Sequence, residues 1–539
     1  MRRSVIAFVA ASTLAVALAP VASAVGPGGW DHVGMGATSS TPSLNGTVTA
    51  LNTDNPGVLY VGGNFTSAGG HTNARRIARW NGSWSTVGGA TPLTNGQVFA
   101  IAYHAGKVYV GGTFLNAGAN ADADFLAVWD GSSWTSPCIS TVGGAPITGN
   151  VNALQIVDNT LYVGGSFADG AGIQSADYLV GCDLTTRVAS STVSSDGSMS
   201  GSIYALTADS AGTLYAGGGF INLESIPEAD HVAAYDGAWH AMGTGSGAPG
   251  SPAVDSFVRS LTAHGTDVYV GTDSVDVAGI PQADHVARWN GSSWSAVGAD
   301  SAGTGGWFTT GTTIDALRAY GSLVIAAGSF QNANGVATAD QIAYFDGTRW
   351  RPIGSDGAGN GPLPAHPTAL GVSGGNVYVG GNFTSAGGDR YASYLAAYGL
   401  RLPDASIAAS RTGHFTGGNV YSTTGSGEVL QLTVKRGSSH AAYVKLQNDG
   451  LTDAAFRLHG TGSATGFAVH YYVGDVNITS SVRSGTYVTS SIAPRSSSLV
   501  RIVVSVRKAG ASHATFTTTM DPTGGGPPRD GVRFAVKAG

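Results

Sequence analysis

The stretch Leu59-Tyr60-Val61-Gly62-Gly63-Asn64-Phe65 decides the fold, because variants of it occur seven times in the chain. The copies start 49 to 56 residues apart and occupy residues 59–65, 108–114, 161–167, 214–220, 268–274, 324–330 and 377–383. Self-similarity at a period of this length is typical of propellers and solenoids. The sequence therefore predicts seven copies of one supersecondary unit.

Each copy occupies the same place in a series of predicted strands. In the first repeat, a strand at 48–51 precedes the double glycine, an alternating strand at 77–80 follows a Gly-rich loop, and Trp84 opens a fourth strand. Asn81-Gly82 joins the last two strands, and Asn-Gly or Asp-Gly stands at the same point in four further repeats. These dipeptides suit the positive φ angles of hairpin turns. Each repeat is thus predicted to be a four-stranded antiparallel meander, the unit of one propeller blade.

The two ends of the repeat region complement each other. The last repeat stops at residues 395–398 without a Trp-led strand, whereas Trp30-Asp31-His32-Val33-Gly34 matches the Trp-led segments 84–88 and 350–354. We expect the N-terminal segment to supply the missing outer strand, because closing the ring removes an exposed sheet edge. The predicted fold class is all-β, with a seven-bladed β-propeller closed by an N-terminal outer strand.

The repeat also resembles the kelch motif. Val108-Tyr109-Val110-Gly111-Gly112 is followed by Trp129 and Trp134, and Phe-x-x-Ala-Gly segments stand at 65–69, 114–118 and 383–387. In these features the chain is similar to the kelch-like propellers of secreted bacterial proteins and of fungal cortical polarity-marker ectodomains, over about residues 29–400. The resemblance implies a propeller fold, and it implies a binding protein more often than an enzyme.

Three segments are predicted along the chain. Residues 1–24 have the features of a secretory signal peptide, with Arg2 and Arg3, an apolar stretch and the small-residue site Ala22-Ser23-Ala24. Residues 25–400 form the propeller. Residues 401–539 carry no repeat, and their period-2 strands predict an Ig-like β-sandwich. We expect a secreted, extracellular monomer.

Composition limits the classes of partner. The 82 Gly and 20 Pro residues occur with 42% hydrophobic residues, which is too apolar for a disordered chain. Without Arg2 and Arg3 the chain keeps 25 basic residues against 33 acidic ones. An acidic protein is a poor partner for nucleic acid or for anionic lipid, and no later run is long enough to span a membrane.

Cys138 and Cys182 are the two cysteines of the chain. In an oxidising compartment a single disulfide is expected, in preference to a reactive thiol. Cys138 follows the outer strand of the second repeat and Cys182 replaces an aromatic residue of the third, so the two could meet across a blade boundary.

Repeated polar and aromatic residues have a structural explanation. One aspartate enters the third strand of five repeats, and a metal ring is the alternative to a turn-forming role: Asp124, Asp177, Asp230, Asp284 and Asp340. Equivalent positions lie far apart around a ring, and an aspartate entering a strand usually accepts backbone N–H bonds from its own loop. Nine of the ten tryptophans recur in register, which indicates packing between blades.

The tenth tryptophan, Trp307, is followed by Phe308 in a Gly-rich loop at 302–311 that no repeat position explains. Such a pair either binds a sugar ring or apolar side chain, or folds inward to plug the axial channel. The long loops at 66–76, 243–256, 298–313 and 354–367 all follow second or fourth strands and share one face, which favours a binding surface there. Arg75, Arg76 and Arg390 lie in the same class of loops and are candidate ligand contacts.

The predicted function is non-catalytic recognition of a polysaccharide or protein through the long-loop face. No catalytic residues, metal ligands or cofactor are predicted. The alternative is a secreted oxidase, since the galactose-oxidase-like enzymes also combine a kelch propeller with an Ig-like domain, or a lyase acting at the channel mouth. A convergent cluster of His, Tyr or carboxylates there would favour the enzyme, whereas an exposed Trp307 without a perturbed acid would favour binding.

Overall fold

The computed structural model describes residues 29–539 except 39, 140–146, 193–198, 222, 246–249, 309–310, 419–421, 423, 427 and 524–529. Strands make up nearly all of the regular structure in this part of the chain, which confirms the all-β class. The predicted signal peptide, residues 1–24, lies outside the described residues.

Seven four-stranded antiparallel sheets are present among the described residues. Sheet 1 contains β2 (Val48–Asn52), β3 (Leu59–Gly63), β4 (Ile77–Trp80) and β5 (Trp84–Thr86). Sheet 2 contains β6 (Val98–His104), β7 (Lys107–Gly112), β8 (Leu126–Trp129) and β9 (Trp134–Thr135). Sheet 3 contains β10 (Asn150–Val157), β11 (Thr160–Ser166), β12 (Leu179–Asp183) and β13 (Ala189–Ser191). Sheet 4 contains β14 (Ile203–Ala208), β15 (Leu214–Gly218), β16 (Val232–Tyr235) and β17 (Trp239–Ala241). Sheet 5 contains β18 (Val258–His264), β19 (Asp267–Thr272), β20 (Val286–Trp289) and β21 (Trp294–Ala296). Sheet 6 contains β22 (Ile314–Tyr320), β23 (Leu323–Gly328), β24 (Ile342–Phe345) and β25 (Trp350–Pro352). Sheet 7 contains β26 (Pro367–Ser373), β27 (Asn376–Gly381), β28 (Leu395–Gly399) and, at its edge, β1 (Trp30–His32).

The N-terminal strand β1 completes sheet 7, as the sequence predicts. It pairs antiparallel with β28, so that Trp30 lies opposite Tyr398 and His32 opposite Ala396. The Trp30 side chain is fully buried, and its indole N–H donates to the carbonyl of Ile353 at 3.3 Å. Both ends of the repeat region therefore contribute to one hydrogen-bonded sheet.

The first strands of the seven sheets contact one another in a cycle. Each contacts the first strand of the following sheet, and β26 of sheet 7 contacts β2 of sheet 1. One cavity of about 210 Å³ is lined by residues from all seven first strands. The sheets therefore surround a common central space.

The double glycine allows this close approach. A Cβ atom on Gly111 would collide with the side chain of Val151 in the next sheet, and one on Gly112 would collide with the carbonyl oxygen of Gln97. Most of the other repeats show the same two close contacts. The first glycine thus permits close approach of the neighbouring sheet, and the second permits close approach of the preceding strand in its own sheet.

The C-terminal residues form two further five-stranded sheets around one apolar core. Their strands are β29 (Pro403–Ala408), β30 (Val429–Val434), β31 (Ser439–Asn448), β32 (Phe456–Gly460), β33 (Phe467–Val473), β34 (Val476–Asn477), β35 (Tyr487–Val488), β36 (Ser497–Val506), β37 (His513–Pro522) and β38 (Asp530–Ala538). The strand orders are β29-β31-β36-β33-β34 and β30-β38-β37-β32-β35, and the pair β30–β38 is parallel. A short helix, α1 (Thr479–Ser484), packs beside β32 and β33.

The predicted disulfide is present. Cys138 follows β9 of sheet 2, Cys182 lies in β12 of sheet 3, and their Cα atoms are 5.5 Å apart. The bond therefore joins two neighbouring sheets. Within the described ranges, no helix has the length and apolarity needed to cross a bilayer.

Candidate functional site

The loops after second and fourth strands meet on one side of the sheets, here called the loop face. The Asp284 carboxylate, in the β19–β20 loop, accepts an N–H bond from Gly306 in the loop that follows β21, at 3.1 Å. Asp340 and Gly361 repeat this contact one sheet later, also at 3.1 Å. These bonds hold the two classes of long loop together, as expected for a shared face.

The repeated aspartates have the predicted structural role. In four repeats one carboxylate oxygen accepts the backbone N–H of the residue eight positions earlier, at 2.5–2.9 Å, in the pairs Asp124–Asn116, Asp177–Asp169, Asp284–Asp276 and Asp340–Asn332. Each acceptor therefore closes its own loop, so these four hydrogen bonds support the turn-forming role over the metal ring.

Trp307 and Phe308 are buried, so of the two alternatives that the sequence left open the loop folds inward, although onto sheet 6 and not into the central cavity. Their side chains are 4% and 3% exposed, and neither lines the central cavity. The Trp307 ring stacks on Trp350 with centroids 5.9 Å apart, and Phe308 contacts Phe330 edge-on at 5.0 Å. The loop folds onto sheet 6 because Asp284 holds Gly306 and an apolar recess receives both rings. In this position neither ring offers a face to a ligand.

The three predicted arginines lie on loops of two neighbouring sheets. Arg75 and Arg76 are partly buried before β4 of sheet 1, and the Arg76 guanidinium donates to the carbonyl of Asn64. Arg390 is exposed before β28 of sheet 7 and lies over the Tyr391 ring, 4.8 Å from its centroid. Arg76 thus fastens its own loop, whereas ligand contact by these residues stays a prediction.

A β-bulge occurs at the same position in the first strand of every one of the seven sheets. A bulge re-aims a side chain and is common at barrel rims and beside active sites. The extra residue is the second or third of each strand and so lies at the loop-face end of the cavity: Thr49, Phe99, Asn152, Tyr204, Arg259, Asp315 and Thr368. These seven residues, here called the mouth ring, are the positions that the sequence analysis missed.

Three members of the mouth ring fasten neighbouring sheets. The Thr49 hydroxyl donates to the Val98 carbonyl at 2.6 Å, and the Thr368 hydroxyl donates to the Val48 carbonyl at 2.8 Å. Asn152 makes the equivalent bond to sheet 4 at 3.0 Å. The remaining four ring members, Phe99, Tyr204, Arg259 and Asp315, make no such bond to a neighbouring sheet among the described residues.

Arg259 and Asp315 form the charged part of the ring. The Arg259 guanidinium donates two parallel bonds to the Asp273 carboxylate, each 2.7 Å long. This pairing raises the pKa of Arg259. Burial raises the pKa of the neighbouring Asp315, although its carboxylate accepts a bond from the Thr313 hydroxyl at 3.1 Å. The mouth thus combines a fixed cation with a carboxyl group that is costly to ionise.

An exposed aromatic pair lies beside these charges. Tyr204 is 41% exposed and Phe257, directly before β18, is 45% exposed, with their ring centroids 6.3 Å apart. A Cβ atom on Gly219 would come within 2.7 Å of the Phe257 ring, so glycine gives that ring its room. Tyr204 and Phe257 therefore form an aromatic surface at the mouth.

A second polar cluster joins β1 to the β27–β28 loop. His32 Nδ1 lies 2.7 Å from an Asp389 carboxylate oxygen and 3.3 Å from one of Asp31, and single ligand atoms of the three residues all lie within 4.8 Å. The contact with Asp389 raises the pKa of His32. Because the three groups bind each other, their proximity is explained by attachment of the N-terminal strand.

Comparison with known proteins gives no family assignment. No protein-family model and no curated protein matches the chain. Solved structures with local similarity include a family 123 glycoside hydrolase from Clostridium perfringens (6% identity, TM-score 0.17, 25% of this chain and 27% of that chain) and a FixG-related protein from Vibrio parahaemolyticus (8%, 0.16, 25% and 95%). The PapD-like domain 7 of human CEP192 is also similar (13%, 0.14, 20% and 80%). With these TM-scores, no conclusion is drawn from the similarities.

Proposed function

We propose that residues 25–400 form a kelch-like seven-bladed β-propeller and residues 401–539 an Ig-like β-sandwich, in a protein that is secreted. The seven sheets, their cyclic contacts and the shared central cavity support the propeller. The disulfide supports an oxidising compartment, because such bonds persist outside the cytosol.

The protein binds a polysaccharide at the loop-face mouth of the channel. The observation that carries this proposal is the exposed pair Tyr204 and Phe257 beside the Arg259–Asp273 ion pair. Binding sites commonly combine apolar and aromatic surface with a few placed polar groups. The C–H face of a sugar ring would lie on the aromatic pair, while its hydroxyls would reach Arg259 and Asp315.

A polysaccharide fits the mouth better than a flat protein surface does. The first strands of all seven sheets line the mouth, and its polar groups come from strands whose backbone is held on both sides by neighbouring sheets. A protein partner would be expected to use the exposed loop tips instead, since loops carry most adaptable binding contacts. Substitutions in the mouth ring should therefore weaken binding of a polysaccharide, whereas substitutions at the loop tips should weaken binding of a protein.

A polysaccharide array with three forms of the protein tests this function. We expect the double variant Tyr204→Ala/Phe257→Ala to weaken binding by about tenfold or more, which corresponds to ~1.4 kcal/mol. Tyr320→Ala is the matched control, because Tyr320 is 45% exposed but ends the first strand of sheet 6, away from the bulge. Equal binding by all three forms, or no glycan binding by the wild type, would overturn the proposal.

Catalysis at the same mouth is the second candidate, and Asp315 favours it. Its raised pKa is a property of general acids, and Arg259 lies nearby. The galactose-oxidase-like version requires a cysteine bonded to tyrosine, whereas Cys138 and Cys182 are bonded to each other. A lyase or hydrolase would release shorter sugars from the bound polysaccharide. Asp315→Asn would abolish that release because an amide cannot donate the proton, and it would retain most of the binding because the amide still forms hydrogen bonds with sugar hydroxyls.

A further inference from the structure

Sheet 5 departs from the repeat pattern at two positions of its double-glycine segment. In the other six sheets the second residue of the glycine pair is glycine, and a buried phenylalanine stands two residues later. Sheet 5 has Thr272 and Ser274 at these positions. Departures from an otherwise shared pattern are expected at functional sites, so this repeat is a candidate for a specialised role.

Thr272 changes the surroundings of the chain before β18. In sheet 2 a Cβ atom on the equivalent residue, Gly112, would collide with the carbonyl oxygen of Gln97, which precedes β6. In sheet 5 the equivalent carbonyl belongs to Phe257, and it accepts a hydrogen bond from the Thr272 hydroxyl at 2.9 Å. The chain before β18 therefore leaves room for a side chain that sheet 2 excludes.

A cavity of about 280 Å³ lies beside Ser274 on the loop face and is here called the loop cavity. Asp255, whose backbone N–H donates to the Ser274 hydroxyl oxygen at 3.1 Å, lines it together with Val275 and Asp276. Small-molecule sites begin at about 300 Å³, so this volume fits one ring-sized group.

Exposed apolar side chains connect the loop cavity to the channel mouth. Phe257, which contacts Tyr204 of the mouth ring, is 45% exposed, and Val275 is 43% exposed. Arg259 of the mouth ring and Asp255 of the loop cavity are four residues apart, which an extended chain spans in at most about 14 Å. A ligand that reaches both is therefore longer than a single sugar ring.

The charges at the loop cavity favour an uncharged ligand. Asp255 and Asp276 are exposed, and neither carboxylate forms an ion pair among the described residues. An ionised carboxylate only accepts hydrogen bonds, so it suits the hydroxyl donors of a sugar. It repels the carboxylate of an acidic sugar.

We propose that the loop cavity is a second sugar subsite, occupied by a further unit of the chain that lies on Tyr204 and Phe257, and that this chain is a neutral polysaccharide. The inference rests on the proposed binding of a polysaccharide at the mouth. A chain that occupies both places binds more tightly than one that occupies the mouth alone, because the second contact is intramolecular.

Calorimetric titration of the full-length protein with oligosaccharides of increasing length, from the disaccharide upward, tests the subsite. The neutral probes are cello-, xylo- and manno-oligosaccharides, and oligogalacturonides of the same lengths form the acidic series. We expect the affinity for a neutral series to rise by about 10-fold or more once the chain reaches the loop cavity. The acidic series should show no such rise.

The double variant Asp255→Ala/Val275→Ala should remove this rise and leave the affinity for the disaccharide unchanged, because the mouth stays intact. Leu115→Ala/Asp122→Ala is the matched control on a loop of sheet 2 and should behave as the wild type does. Leu115 has the repeat position of Val275 and is 42% exposed, and Asp122 is also exposed. Since all four side chains are exposed, both variants should fold.

The outcomes separate the second subsite from the proposed function. Wild-type binding that does not increase with chain length, or a rise that persists in Asp255→Ala/Val275→Ala, would overturn the subsite and leave binding at the mouth standing. A preference for the acidic series would overturn the neutral class of ligand. Absence of binding to every series would overturn both proposals.

Discussion

At the scale of single residues, the sequence around Trp307 is compatible with two structures, an exposed aromatic pair and a pair folded inward. The sequence places an aromatic pair where no repeat position explains it, and it leaves open whether the pair is exposed or folded inward. The burial of Trp307 and Phe308 depends on Trp350, at the start of β25, and on Phe330, in the loop after β23. Local sequence does not contain that contact, so the exposure of the pair could not be derived from it.

The substitution Trp307→Ala should therefore reduce stability and leave ligand binding intact. Loss of a buried aromatic side chain typically costs about 3–5 kcal/mol. Denaturant unfolding followed by fluorescence measures the change, with Trp307→Phe as a control that retains most of the packing. Loss of glycan binding at unchanged stability would contradict the buried position.

The mouth ring is another residue-scale feature that was hidden in the sequence. Its members follow a Val, Ile or Pro at one repeat position, and they vary there from Thr to Phe, Tyr, Arg and Asp. The residue type changes at this position from repeat to repeat, whereas the residue before it is Val or Ile in six of the seven repeats. This contrast could have identified the ring from the sequence. The bulge that turns these residues to the cavity required the observed strand register.

At the scale of elements, attachment of β1 depends on more than its three backbone pairs. The side chain of His32 reaches Asp389 on the loop between β27 and β28, and both side chains are mostly buried. The hydrogen bond to Asp389 raises the pKa of His32 above 6.5. Burial opposes ionisation of Asp389, but bonds from His32 and the Tyr391 backbone hold its pKa below 3.8.

These directions predict a pH window for the stability of β1. The His32 contribution is fully present below pH 6.5 and is lost as the pH rises through the raised pKa of the folded state. The Asp389 contribution is present above pH 3.8 and is lost as the pH falls through its lowered pKa. The pair therefore stabilises the fold most at weakly acidic pH.

The substitution His32→Asn should lower the free energy of unfolding by about 1.5 kcal/mol in this window, the magnitude of a hydrogen bond between charged groups. The deficit should shrink toward alkaline pH. Unfolding followed by tryptophan fluorescence measures it across the pH range. His240→Asn, which removes an exposed pair with Asp236, serves as control and should have little effect at any pH.

At the scale of the whole molecule, the repeat count and the exchange of the N-terminal strand were predictable. The count follows from the seven copies of the double-glycine segment, the exchange follows from what the first and last repeats contain, and the pairing of β1 with β28 confirms the exchange. The disulfide was likewise predictable from two cysteines at a sheet boundary. The burial of Asp404, Glu428 and Asp530 in the C-terminal sheets was not, because the three residues share no motif and lie in parts of the chain that are distant in sequence.

Deletion of residues 25–35 should lower the melting temperature of the repeat region sharply. It removes the fully buried Trp30 and exposes the edge of β28 to solvent. Calorimetry of the truncated protein measures the loss, and a synthetic peptide of residues 25–35 should restore part of it. An unchanged melting temperature would show that β1 does not hold sheet 7 together.

The position of β1 also sets an order of assembly. Sheets 1 to 6 are each built from one continuous segment, so each has all its strands as soon as that segment is made. Sheet 7 needs the earliest strand of the chain and strands that follow residue 366, so it is the last of the seven to be completed. Until then β28 has an open edge that accepts the N-terminal strand of any neighbouring copy equally well. Refolding at high protein concentration should accordingly produce strand-exchanged oligomers joined at this one sheet.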